Sequence, residues 1–146
     1  MRHLFPLLTA LSLVFCVDLH AQTFIQTVIQ KGHSAAVKSV AIDKSGKYLA
    51  TGSRDRSVKL WDLEKGIEIR SFLGHEHSVN SLQFSNSGKW LISGSADNTA
   101  RLWEVSTGKE IFTTPKQNKY VTDVAIAPNE KYVAVAGYND KLQIYE

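Results

Sequence analysis

The sequence predicts an all-β protein built from about three repeated four-stranded antiparallel meanders. Three observations predict it. A unit from Gly74 to Glu104, GHEHSVNSLQFSNSGKWLISGSADNTARLWE, has an upstream copy from Gly32 to Asp62, GHSAAVKSVAIDKSGKYLATGSRDRSVKLWD. The spacing is fixed: His33 and His75, Asp55 and Asp97, and Trp61 and Trp103 are each 42 residues apart. Within each copy, short runs rich in β-branched and aromatic residues alternate with breaks carrying Gly, Ser or Asp, which is the pattern of strands closed by tight turns. A repeat of this length cannot bury a core alone and must stack on its neighbours.

Taken in order, residues 1–21 come first. A charged start at Arg2 and His3, an apolar run from Leu4 to Val17 and a small residue at Ala21 have the layout of a secretory signal peptide cleaved before Gln22. The expectation is therefore a secreted or periplasmic protein. The apolar run has 14 residues, short of the roughly 20 needed to span a bilayer, so no stable membrane insertion is expected. Cys16 is the only cysteine, and the bulky Phe15 before it departs from a lipoprotein pattern.

Residues 23–30, TFIQTVIQ, read as a strand. The first full unit, about 32–73, then offers strands at Val37 to Ile42, Tyr48 to Gly52, Ser57 to Trp61 and Glu68 to Leu73. The second, about 74–115, offers Val79 to Phe84, Trp90 to Gly94, Thr99 to Trp103 and Glu110 to Thr114. The third, 116–146, is blurred, with Val121 to Ile126, Tyr132 to Ala136 and Lys141 to Tyr145.

These units resemble WD repeats, the blades of β-propellers. The resemblance rests on Gly32-His33 and Gly74-His75, on Thr51 to Asp55 and Ser93 to Asp97, and on Trp61-Asp62 and Trp103-Glu104. It implies a polar network in each blade, made of His33, Thr51, Asp55 and Trp61 in the first and His75, Ser93, Asp97 and Trp103 in the second. Such groups are costly to bury singly and tolerable when each satisfies the next. In the third unit Gln117, Val135, Asn139 and Tyr145 stand at those positions, so its sheet is expected to lack the clasp.

Composition and motif together argue against several other functions. The 17 Lys and Arg against 14 Asp and Glu give a net charge of +3 with no basic block, which speaks against a nucleic-acid partner. Ser93, His75 and Asp97 include the residue types of a nucleophilic triad, but the same trio recurs one period earlier as Thr51, His33 and Asp55. Recurrence at the repeat period favours scaffold use over catalysis. No phosphate loop is present, because Gln83 and Trp90 replace its required glycine and hydroxyl. His75 and His77 have no further metal ligands at usable spacing. No catalytic, cofactor or metal site is assigned.

The resemblance implies instead a protein-protein interaction scaffold. The turns after the second strands and those leading into each Gly-His share one face, which would carry Arg54, Arg56, Glu76, His77, Asn98, Tyr138 and Asp140. Arg and Tyr anchor interfaces most often, so Arg54, Arg56 and Tyr138 lead. Three blades are too few to close a ring of about four to eight. Two expectations stay open: a homodimer forming a six-bladed ring, strand 23–30 of each chain completing the other's last blade, or a truncated part of a larger WD-repeat protein with a separate catalytic domain.

Overall fold

A computed structural model describes residues 32–138 and 142–146. The N-terminal stretch 1–21 and the strand expected at 23–30 lie outside the described residues, as do Asn139, Asp140 and Lys141. Within the described residues the chain is all β. Eleven strands form three antiparallel sheets: β1 (Val37–Ile42), β2 (Tyr48–Ser53), β3 (Val58–Asp62) and β4 (Ile67–Phe72); β5 (Val79–Phe84), β6 (Trp90–Ser95), β7 (Ala100–Glu104) and β8 (Glu110–Thr113); and β9 (Val121–Ile126), β10 (Val133–Gly137) and β11 (Leu142–Tyr145). Each sheet is a meander in chain order. We call them blades one to three.

Among the described residues four strand starts differ from expectation by one residue: β4 begins at Ile67 instead of Glu68, β10 at Val133 instead of Tyr132, and β3 and β7 begin late for a shared reason. Ser57 and Thr99 do not begin β3 and β7, because each gives both its backbone N–H and its hydroxyl to the preceding Asp carboxylate, Asp55 and Asp97 respectively. Their polar groups close the turn, and the ladder begins one residue later. The first hairpin of each blade also repeats. Gly46 and Gly88 take positive φ angles of 73° and 72°, and in blade three Glu130 stands there at 57°. A side chain in that region costs about 1 kcal/mol. Glu130 offsets the cost through its carboxylate, which accepts from the Ser87 N–H and hydroxyl of blade two.

Register carries the blades to one another. The β1–β2 and β5–β6 ladders both slip at their first residues, between Val37 and Ser39 and between Val79 and Ser81. A bulge of this kind re-aims a side chain. At the second one Asn80 donates to the Val121 carbonyl of blade three at 2.9 Å. Beside it, Ser81 donates to Asp123, and the Gln83 side-chain oxygen accepts from the Ile126 N–H at 2.6 Å.

The core lies between blades. One cluster joins Ala50, Val58, Leu60 and Phe72 of blade one to Val79, Leu82, Phe84 and Leu91 of blade two. A second joins Ile92 and Ala100 of blade two to Val121, Val124, Ile126 and Val135 of blade three. Tyr48 and Trp90, at one repeat position, pack against these clusters under Lys47 and Lys89. Close approach depends on two glycines. A Cβ at Gly52 would lie 2.7 Å from Val79 Cγ1, and one at Gly94 would lie 2.6 Å from Val121 Cγ1. Gly94→Ala is expected to cost about 1–3 kcal/mol by overpacking, measured by urea unfolding. Gly32→Ala, with nothing within 4 Å, is the neutral control; equal midpoints for the two variants would remove glycine from the packing argument.

Candidate functional site

Two candidate sites follow from the sequence, a buried network and an exposed face. The network of blade two is a chain of donors and acceptors across four parts of the blade. The Trp103 indole N–H on β7 donates to Ser93 Oγ on β6 at 2.8 Å. Ser93 Oγ lies 2.7 Å from His75 Nε2, and His75 Nδ1 lies 2.7 Å from Asp97 Oδ2 in the β6–β7 turn. Ser93 Oγ thus accepts from the indole and pairs with one ring nitrogen of His75, whose other ring nitrogen pairs with the carboxylate. Asp97 also accepts from the Thr99 N–H and hydroxyl and from the Glu76 N–H.

Blade one repeats the network one period earlier. Trp61 Nε1 donates to Thr51 Oγ1 at 2.8 Å, Thr51 Oγ1 meets His33 Nε2 at 2.7 Å, and His33 Nδ1 meets Asp55 Oδ2 at 2.9 Å. The Ser34 N–H completes the Asp55 carboxylate at 2.9 Å. In blade three Val135 fills the Ser93 position, fully buried, and the Tyr145 hydroxyl donates to Gln143 instead of to the interior.

The two networks differ in burial. The side chains of His75 and Asp97 are each 1% exposed, whereas Asp55 is 12% exposed. Burial works to raise the Asp97 pKa, but the hydrogen bonds from His75, Thr99 and the Glu76 N–H outweigh it and hold the carboxyl far below its usual range. The same balance holds Asp55 low, with Ser57, Ser34 and His33 as donors. Chemically, the blade-two trio has triad connectivity without access. Ser93 has no exposed surface and its oxygen is capped by the indole, so no substrate carbonyl can reach it. Both nitrogens of His75 are spent inside the network, and among the described residues no three His, Cys, Asp or Glu side chains gather to hold a metal ion.

The exposed face is laid out by a second repeated feature. The N–H of the residue after each second strand donates to the carbonyl just before each first strand: Arg54 to Ala36, Ala96 to Ser78, Tyr138 to Tyr120. These bonds bring the turns after the second strands beside the segments that follow Gly-His. Arg54, Arg56, Glu76, His77 and Tyr138 are exposed there, and Asn98 is half-buried. Arg56 and Asn98 share a left-handed backbone, φ 74° and 72°. Tyr138 stacks on Tyr120 with ring centroids 4.9 Å apart and planes 21° from parallel. Sequence reading missed Tyr120, because its repeat counterparts are Ala36 and Ser78 and only the strand pairing reveals the stack. It also missed the Lys116–Glu76 ion pair at 3.1 Å between blades two and three. Of the face residues named from sequence, Asp140 lies outside the described residues.

Three antiparallel meanders packed face to face, two of them four-stranded with a His–Asp–Ser/Thr–Trp clasp and the third three-stranded among the described residues, define propeller blades. The family model for "WD domain, G-beta repeat" (WD40) matches residues 22–62, 66–104 and 108–146. The chain belongs to the WD-repeat family, whose repeats are in general protein-interaction scaffolds.

Curated proteins matched by the chain include the "Ribosome biogenesis protein BOP1 homolog" of Aedes aegypti, 41% identical over 54 residues, which are 37% of this chain and 6% of that protein. The proteins of the same name from Drosophila virilis and Drosophila melanogaster are each 35% identical over 54 residues, 37% of this chain and 7% of theirs. The chain thus matches less than a tenth of the length of these relatives. They overturn one expectation. The secreted or periplasmic placement drawn from residues 1–21 is corrected, because relatives named for ribosome biogenesis serve a process inside the cell. Its basis was the layout of a charged start at Arg2 and His3, an apolar run from Leu4 to Val17 and a small residue at Ala21.

The clasp predicts a pH dependence. An Asp whose folded pKa lies below its unfolded value, 3.8 for Asp97, stabilises the fold fully above that value. The contribution is lost as pH falls from about 5 through the folded pKa. Asp97→Asn is expected to lose about 2–4 kcal/mol at neutral pH and to show a shallower fall in stability with acid. Urea melts between pH 7 and 3 check this, and an unchanged acid slope would exclude Asp97 as a source.

Proposed function

We propose that this chain is a non-enzymatic scaffold whose three units, divided near residues 73 and 115, act together and bind a protein partner through the turn face of Arg54, Arg56, His77, Asn98 and Tyr138. The observation that carries it is the contrast between the two candidate sites. Every reactive side chain of the triad-like network is spent inside a blade. The neighbouring turns present arginine and a stacked tyrosine pair to solvent. Arg56 adds support, because a non-glycine residue with positive φ costs about 1 kcal/mol of backbone strain, and such strain gathers at binding sites.

A second reading is favoured by a separate observation. A ring needs about four to eight blades, and among the described residues both end faces of this blade stack are apolar, with Val40 and Ile42 at one end and Leu142 and Ile144 at the other all more than 60% exposed. A second copy of the chain is then itself a partner, in a homodimer of six blades.

The turn-face proposal is tested by pull-down with the full chain against the triple variant Arg54→Ala, Arg56→Ala, Tyr138→Ala. Loss of three anchors is expected to reduce partner recovery by about tenfold or more. Equal recovery at matched stability would move the binding surface elsewhere.

A further inference from the structure

The interfaces between blades repeat with the same 42-residue period as the sequence. Val58 and Leu60 of blade one share a cluster with Val79, Leu82 and Phe84 of blade two. One period on, Ala100 and Leu102 share a cluster with Val121, Val124 and Ile126. The series continues in both directions. Its next donors are Leu142 and Ile144 on blade three, each 66% exposed; its missing acceptors are Val37, Val40 and Ile42 on blade one, 49%, 64% and 62% exposed. Their acceptor counterparts inside the chain are all 8% exposed or less. A groove of about 580 Å³ lies at the open face of blade three, lined there by Tyr132, Ala134 and Ile144. These are counterparts of Tyr48, Ala50 and Leu60, which pack in the cluster that holds Phe84.

We infer that the open face of blade three docks blade one of a second copy, Ile42 entering the groove where the period places the counterpart of Phe84, and that Ala136 governs how closely the two faces meet. The inference rests on the self-association reading above and deepens it with a register. Two such contacts, related by a two-fold axis, close three blades and three blades into a ring and leave no apolar end face open.

Ala136 is the position where this third interface departs from the other two. The pairings Ser39 with Gly52, Ser81 with Gly94 and Asp123 with Ala136 are equivalent. Glycine is required at the first two, where a Cβ would come within 2.7 and 2.6 Å of a valine methyl on the next blade. The valine next in the series is Val37. In the geometry of the internal interfaces the Ala136 methyl would meet Val37 too closely, so the copies must sit about 1 Å further apart to reach ordinary carbon contact. Assembly between chains is thereby made weaker than packing within one.

Sedimentation velocity of the full chain over a concentration series tests this, with Ala136→Gly, Val40→Asp and Leu142→Asp beside it. The wild type should show a monomer–dimer equilibrium that stops at two chains, and Ala136→Gly should lower its dissociation constant by about tenfold. Val40→Asp and Leu142→Asp should each be monomeric alone, while their mixture recovers a dimer, because each variant keeps the face that the other has lost. Should either aspartate variant lose its β-sheet circular dichroism, Ile42→Lys or Ile144→Lys repeats the test at an equally exposed position. Wild type and Ala136→Gly both remaining single chains would overturn the inference together with the self-association reading. A dimer that Ala136→Gly does not tighten, or that persists in Leu142→Asp alone, would overturn this register and leave self-association standing. Growth beyond two chains would overturn ring closure.

Discussion

The Asp97 carboxylate accepts from the His75 ring, the Thr99 hydroxyl and two backbone N–H groups, and through His75 it reaches Ser93 and the Trp103 indole. Four segments of blade two are thereby held by one buried chain of hydrogen bonds. A one-residue slip of β6 against β7 would turn Ser93 to the opposite face and leave an imidazole, an indole and a carboxylate buried and unpaired. Polar burial of this kind fixes register where apolar packing alone tolerates alternatives. Blade three shows the contrast: with Val135 at the Ser93 position and Tyr145 at the Trp103 position, its order depends on packing against blade two and on the bonds to Asp123, Ile126 and Glu130.

Because each hydrophobic cluster straddles two blades, no blade owns its core. A stack of blades therefore always exposes a donor face at one end and an acceptor face at the other, whatever its length. Closure is the only arrangement that removes both, which links the repeat period in the sequence to a demand for further blades. The two polar features of the chain divide accordingly, the clasp holding each blade and the turns above it facing solvent.

Much of this was legible from spacing. The recurrence of His, Ser/Thr, Asp and Trp at 42 residues marked the clasp, and alternating runs marked the strands. What escaped did so for physical reasons. Ser57 and Thr99 read as strand residues because β propensity does not register a hydroxyl spent on a neighbouring carboxylate. Tyr120 has no repeat counterpart, so its stack on Tyr138 exists only through the pairing of distant segments. Glu130 occupies a glycine position because a contact from another blade compensates its backbone. The layout of residues 1–21, a charged start, an apolar run and a small residue, pointed to export, whereas the relatives of the repeats are named for ribosome biogenesis.

Hydrogen exchange of the three indole N–H groups, followed by nuclear magnetic resonance, tests most directly whether the clasp holds the blades. Trp61 and Trp103 donate to Thr51 and Ser93, whereas Trp90 packs at the edge of its cluster with no such bond among the described residues. If the clasp fixes the fold, the Trp103 indole exchanges only on global unfolding, Trp61 exchanges slowly, and Trp90 exchanges close to the rate of a free indole. A Trp103 indole that exchanges as fast as that of Trp90 would contradict it.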